Sequence, residues 1–107
     1  MELPLEIDIA EAARLAKQPG KIILDVREPD EVAICQIAGS VNIPMAQIPG
    51  RLAELPDDQH ILVLCHHGGR SMRVTQYLRA NDYPSVTNIA GGIDAWAESV
   101  EPGMARY

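Results

Sequence analysis

Two runs of the chain, Ile22 to Val26 and Ile61 to Leu64, are apolar at nearly every position, the pattern of strands buried on both faces. Leu5 to Ile7, Val41 to Ile43 and Val86 to Ile89 read as three shorter strands. Between them the period lengthens. Asp8 with Glu11 three residues later forms a capping-box pattern, and Ile9, Ala12, Ala13 and Ala16 then share one helical face until Pro19-Gly20 stops it. Pro29 followed by Asp30 and Glu31 suits a helix first turn and predicts a short helix over 29–34. Pro49 opens a helical segment through Arg51, Leu52 and Leu55, before Pro56-Asp57-Asp58 turns the chain. A further helix, beginning near Arg70, is expected to face inward with Val74, Tyr77 and Leu78 and outward with Arg73, Gln76 and Arg79. Asn81 to Pro84 break it, and Gly91-Gly92 precede a last helix holding Ala95 and Trp96. Alternation of buried strands with helices predicts a three-layer α/β/α fold around a parallel sheet.

Composition narrows this picture. A chain of 107 residues has room for one core, so residues 1–107 are read as a single domain. A formal net charge of -6 argues against nucleic acid or an anionic membrane surface as partner. No run approaches the roughly 20 apolar residues of a spanning helix. The start, MELPLEIDIAEAA, lacks a basic-then-apolar leader, so a cytoplasmic location is expected. In that compartment Cys35 and Cys65 are expected to be free thiols.

The candidate chemistry lies after the second apolar run, where the chain reads L-C-H-H-G-G-R-S from Leu64. In open α/β sheets ligands bind beyond the carboxyl ends of strands, where loops enter helices. Gly68 and Gly69 are expected to take positive φ and turn successive amides onto one point. With the positive end of the following helix, that nest favours a Cys65 thiolate and an oxyanion above it. Arg70 offers a charged planar fork for the anion. Ser71 can cap the helix or donate its hydroxyl to the bound sulfur, two readings that do not exclude each other, with capping ranked first. His66 and His67 are adjacent, are expected to point apart and have no third ligand pattern, so neither a metal nor another cofactor is expected. They are read as side chains that tune local charge.

Beside C-H-H-G-G-R-S stand L-D-V-R-E-P-D-E from Leu24, A-G-S-V-N-I-P from Ala38 and G-G-I-D-A-W from Gly91. Together, in order and over nearly the full length, these segments resemble the rhodanese homology domain. The resemblance implies a rhodanese-like fold with a five-stranded parallel sheet and a sulfurtransferase that needs no cofactor. Cys65 would take sulfane sulfur from a small anionic donor such as thiosulfate and pass the persulfide sulfur to cyanide, a thiol or a sulfur-carrier protein. The backbone amides of His66, His67, Gly68, Gly69 and Arg70 would hold the terminal sulfur, and Arg70 would bind the donor's oxyanion. Asp25 and Arg27, which taken alone read as a solvated pair, would lie near the loop in a supporting role. Trp96 is read as packing. Cys35 and Gln36 depart from the family's usual glycine and histidine, and Cys35 is read as neutral packing ahead of a resolving thiol.

Two rivals remain at this point. A phosphatase or arsenate reductase also sets a cysteine and an arginine around an anion loop, but only four residues separate Cys65 from Arg70, one fewer than the phosphatase signature. A noncatalytic docking module is the other, and the presence of Cys65 counts against it.

Overall fold

The structure, a computed structural model, describes residues 3–107. Five parallel strands form one sheet: β1 (Glu6–Ile7), β2 (Lys21–Asp25), β3 (Val41–Asn42), β4 (His60–Leu64) and β5 (Val86–Ile89), ordered β1-β5-β4-β2-β3. The helices are α1 (Ile9–Ala16), α2 (Pro29–Ile34), α3 (Gly69–Ala80) and α4 (Gly92–Ser99). Thus the α/β/α layering and the five-stranded parallel sheet expected from the sequence are present.

The two apolar runs lie side by side at the centre, with Ile22 opposite Ile61 and Leu24 opposite Val63. Being covered on both faces, they show no polar alternation. Side chains nevertheless alternate between faces. Ile61, Val63 and Cys65 join Leu24, Val26, Val74 and Leu78 in a core beneath α3, while Leu62 and Leu64 join Ile23, Ile89, Ile93 and Trp96 in a second core beneath α1 and α4. This two-residue period is what directs the Cys65 side chain toward α3. Cys35 packs in the opposite core, in keeping with the packing reading of that residue.

Local signals explain most boundaries. Asp8 caps α1, its carboxylate accepting the Glu11 amide at 2.9 Å. In α2 the capping box is reciprocal, between Glu28 and Glu31. The segment after Pro49 differs from expectation: it is a 3-10 stretch, Pro49–Glu54, interrupted at Arg51. Six residues bounded by Pro49 and Pro56 and containing Gly50 are too few to repay the nucleation of an α-helix. Along α3 the buried face is Ser71, Val74, Thr75 and Leu78, whereas Tyr77 is exposed. Thr75 can face inward because its hydroxyl donates to the Ser71 carbonyl at 2.8 Å. Arg79 does not turn outward. Its guanidinium donates to the carbonyls of Leu3, Pro4 and Val86, polar groups at a sheet edge that hydropathy alone does not reveal.

Candidate active site

Cys65 follows β4 directly, and strand alternation places its sulfur under the first turn of α3. The Gly68 amide donates to Sγ at 3.0 Å and the Ser71 hydroxyl at 3.2 Å. Burial pushes the thiol's pKa up, but the Ser71 hydroxyl and the amides of Ser71, Gly68 and His67 outweigh it and leave the pKa below the usual thiol value. Residue Cys65 is only 1% exposed, so the sulfur sits on the floor of this ring of donors. The donor set therefore favours a thiolate, the reactive form.

Two expectations for the loop are corrected by the geometry. Gly68 has φ +113 and is the N-cap of α3, but Gly69 is already its first helical residue and is not in the positive-φ region. One left-handed residue suffices to turn the chain into the helix. Ser71 does not cap: as the third helical residue it turns its hydroxyl back onto Cys65. The hydroxyl expected to meet the bound sulfur meets Sγ itself.

The loop is fastened from β5 and from α4. The Asn88 side-chain amide donates to the Gly68 carbonyl at 3.2 Å and to Glu6 at 2.7 Å. The amides of Ile93 and Asp94 donate to the carbonyls of Cys65 and His66 at 2.9 and 3.1 Å. That approach requires Gly92, whose φ is +58 and whose Cα faces the loop so closely that a Cβ would lie 2.4 Å from the Cys65 carbonyl oxygen.

Arg70 reaches over α2. Its two terminal nitrogens donate to the Glu31 carboxylate at 2.7 and 2.8 Å, a bidentate pair. The hydrogen bond from Arg70, aided by the Glu28 amide and the Tyr107 hydroxyl, overcomes burial and holds Glu31 at a pKa of about 2. The fork expected to meet an anion is thus occupied by a carboxylate.

Asp25 and Arg27 are not a solvated pair, since both side chains are 0% exposed. Arg27 Nη2 and Nε donate to the Asp25 carboxylate at 2.7 and 2.9 Å. The remaining donors go to the carbonyls of Cys35 and Glu31 and to the Tyr107 hydroxyl. Burial alone would lower the guanidinium's pKa, but Asp25 and the Tyr107 hydroxyl raise it on balance, so the charge is retained. Tyr107 in turn donates to Glu31 at 2.8 Å and stacks on His66, with ring centroids 4.0 Å apart. A continuous polar chain, Asp25 to Arg27 to Tyr107 to Glu31 to Arg70, hence runs from the end of β2 to the start of α3.

His66 and His67 do not point apart. Their rings stack at 4.0 Å, and His67 Nε2 lies 3.8 Å from the Asp94 carboxylate. Glu31, Tyr107 and Asp94 are the site residues that sequence reasoning missed. Glu31 was visible only as a helix-end acid, Asp94 only as part of G-G-I-D-A-W, and Tyr107 carries no local signal.

A cysteine at the end of a central parallel strand, ringed by amides and a hydroxyl at a helix start, defines a class of α/β protein built to stabilise a sulfur anion. The model of the rhodanese-like domain matches residues 8–99, and the chain belongs to that family. It is 37% identical over 92 residues to a sulfurtransferase of Allochromatium vinosum, covering 86% of each chain. It is 32% identical to the adenylyltransferase and sulfurtransferase MOCS3 of Arabidopsis thaliana, but spans only 24% of that protein's length. Among solved structures it resembles a rhodanese-related protein from Thermoplasma volcanium, with TM-score 0.83, 32% identity, and 91% of this chain and 94% of that chain covered. It also resembles the human single-domain sulfurtransferase TSTD1, with TM-score 0.80, 26% identity, and 89% and 96% covered.

Proposed function

We propose that the chain is a sulfurtransferase that carries sulfane sulfur as a persulfide on Cys65. The observation that carries this reading is the convergence of the Gly68 amide and the Ser71 hydroxyl on Sγ. In the first half-reaction the Cys65 thiolate attacks the outer sulfur of thiosulfate. A sulfur–sulfur bond forms to Cys65 as the donor's own sulfur–sulfur bond breaks, and sulfite departs with the electron pair. In the second, a thiolate or cyanide attacks the terminal sulfur, and Cys65 leaves as the thiolate. A sulfur-carrier protein is an acceptor of the same kind, and the similarity to one segment of MOCS3 supports it. No proton need be removed from a preformed thiolate, so the loop histidines need not act as bases.

Incubation with thiosulfate is expected to add the mass of one sulfur atom to the intact protein, and cyanide is expected to remove it. Cys65→Ser should show no adduct. An adduct that persists in Cys65→Ser would move the chemistry to Cys35 and overturn the assignment.

Arg70 serves as the anion clamp in this reading by exchanging Glu31 for the donor's sulfonate oxygens. Removing the guanidinium is therefore expected to weaken binding of the donor more than turnover. Arg70→Ala should raise the thiosulfate KM about tenfold or more, the loss of one charge-assisted contact, with a smaller change in kcat. An unchanged KM in steady-state assays would confine Arg70 to holding Glu31.

A further inference from the structure

We propose that His66, His67 and Asp94 form a binding site for a divalent transition cation of the zinc class at the rim of the Cys65 loop. Each residue offers one ligand atom, and these atoms all lie within 4.8 Å of one another. Tetrahedral zinc with bonds of about 2.0–2.2 Å sets two ligands about 3.4 Å apart, so the cluster must contract by little more than an ångström. The His67 Nε2 to Asp94 Oδ2 separation is already 3.8 Å.

The donor set is chemically suited to such an ion. Two imidazoles and a carboxylate are borderline ligands that favour zinc-like cations over magnesium or calcium, which prefer oxygen alone. Three protein ligands leave a fourth position for water or an exogenous anion.

The ligands are also held together by backbone. The Asp94 amide donates to the His66 carbonyl at 3.1 Å, tying the first turn of α4 to the loop. Tyr107 backs the His66 ring at 4.0 Å and so limits its rotation. His67, whose side chain is 70% exposed, is free to turn out of its stack on His66, as it must for the in-plane lone pairs of the two rings to converge on one ion. The Asp94 carboxylate divides its two oxygens: Oδ1 accepts from Arg106 at 2.8 Å, while Oδ2 faces His67. A metal ion on Oδ2 can therefore share the carboxylate with Arg106 or displace it. The chain's net charge of -6 favours cation capture over repulsion.

The test is calorimetric titration of Zn2+ into the reduced, tag-free 107-residue protein, run in parallel with Cys65→Ser, His67→Ala and Asp94→Ala. The wild-type protein and Cys65→Ser are expected to bind one ion per chain at micromolar concentration. His67→Ala and Asp94→Ala are each expected to weaken binding by about tenfold or more. Because Asp94 lies in the first turn of α4, thermal melting of both variants confirms that they remain folded, and exposed His67 provides the variant least tied to the fold. Binding that disappears in Cys65→Ser but survives His67→Ala would assign the ion to the thiol and overturn the proposal. So would the absence of one-to-one binding. A Co2+ spectrum gives an independent reading: a thiolate-to-metal charge-transfer band would exclude the proposed ligand set. None of these readouts depends on sulfur transfer, so the site can stand if the persulfide reading fails, and the reverse.

Discussion

Arg27→Ala is expected to lower the free energy of unfolding by about 3–5 kcal/mol, the cost of leaving one member of a buried ion pair without its partner. Asp25 and Arg27 are both 0% exposed, so water cannot replace the missing guanidinium. The substitution also leaves the Cys35 carbonyl without the Arg27 bond at 2.8 Å and Tyr107 without the one at 3.0 Å. Against a typical total of about 5–15 kcal/mol for a domain, such a loss is large. The expected consequence reaches the site, because Tyr107 and Glu31 lose their link to the sheet. Denaturant unfolding measures the effect, and a double-mutant cycle with Asp25→Ala separates the pair from the packing. The double variant is expected to be more stable than the sum of the two single losses implies, since it no longer buries a lone carboxylate. A loss below about 1 kcal/mol for Arg27→Ala, the usual worth of an exposed ion pair, would refute the structural role assigned here.

How far this site is legible from sequence depends on how local its contacts are. Cys65, Gly68 and Ser71 lie within seven consecutive residues, and their convergence on sulfur follows from strand alternation and a helix start. The sheet is legible for the same reason: β2 and β4 announce themselves by nearly unbroken apolar runs. What local sequence does not reveal depends on distant partners. Asp25 and Arg27 resemble a solvated pair until α2 closes over them and Tyr107, eighty positions from Arg27, supplies a hydroxyl. The occupied fork of Arg70 requires Glu31 on another helix, thirty-nine positions away. Adjacent histidines look divergent under a strand-like period, but in the bend after β4 they stack instead. Serine is common at helix caps, yet Gly68 already occupies the cap and leaves the Ser71 hydroxyl free for sulfur.

The fastening of the loop to α4 leads to the second large effect. Gly92→Ala is expected to destabilise the protein by about 3 kcal/mol and to reduce persulfide formation with it. Two costs combine at this position. A left-handed φ of +58 is unfavourable for alanine, by about 1–2 kcal/mol. In addition, the new Cβ would lie 2.4 Å from the Cys65 carbonyl oxygen and 2.5 Å from that of His66. These are backbone atoms that cannot swing aside. Relief of the clash would have to stretch the bonds by which Ile93 and Asp94 hold the two carbonyls, displacing the peptide groups that flank Sγ. Gly39→Ala is the control, because Gly39 has a similar φ of +82 but nothing within 4 Å of its Cβ position. That variant should show only the conformational cost, with sulfur loading intact. If Gly92→Ala proves no more destabilising than Gly39→Ala in denaturant unfolding, the close packing of α4 against the loop does not position Cys65.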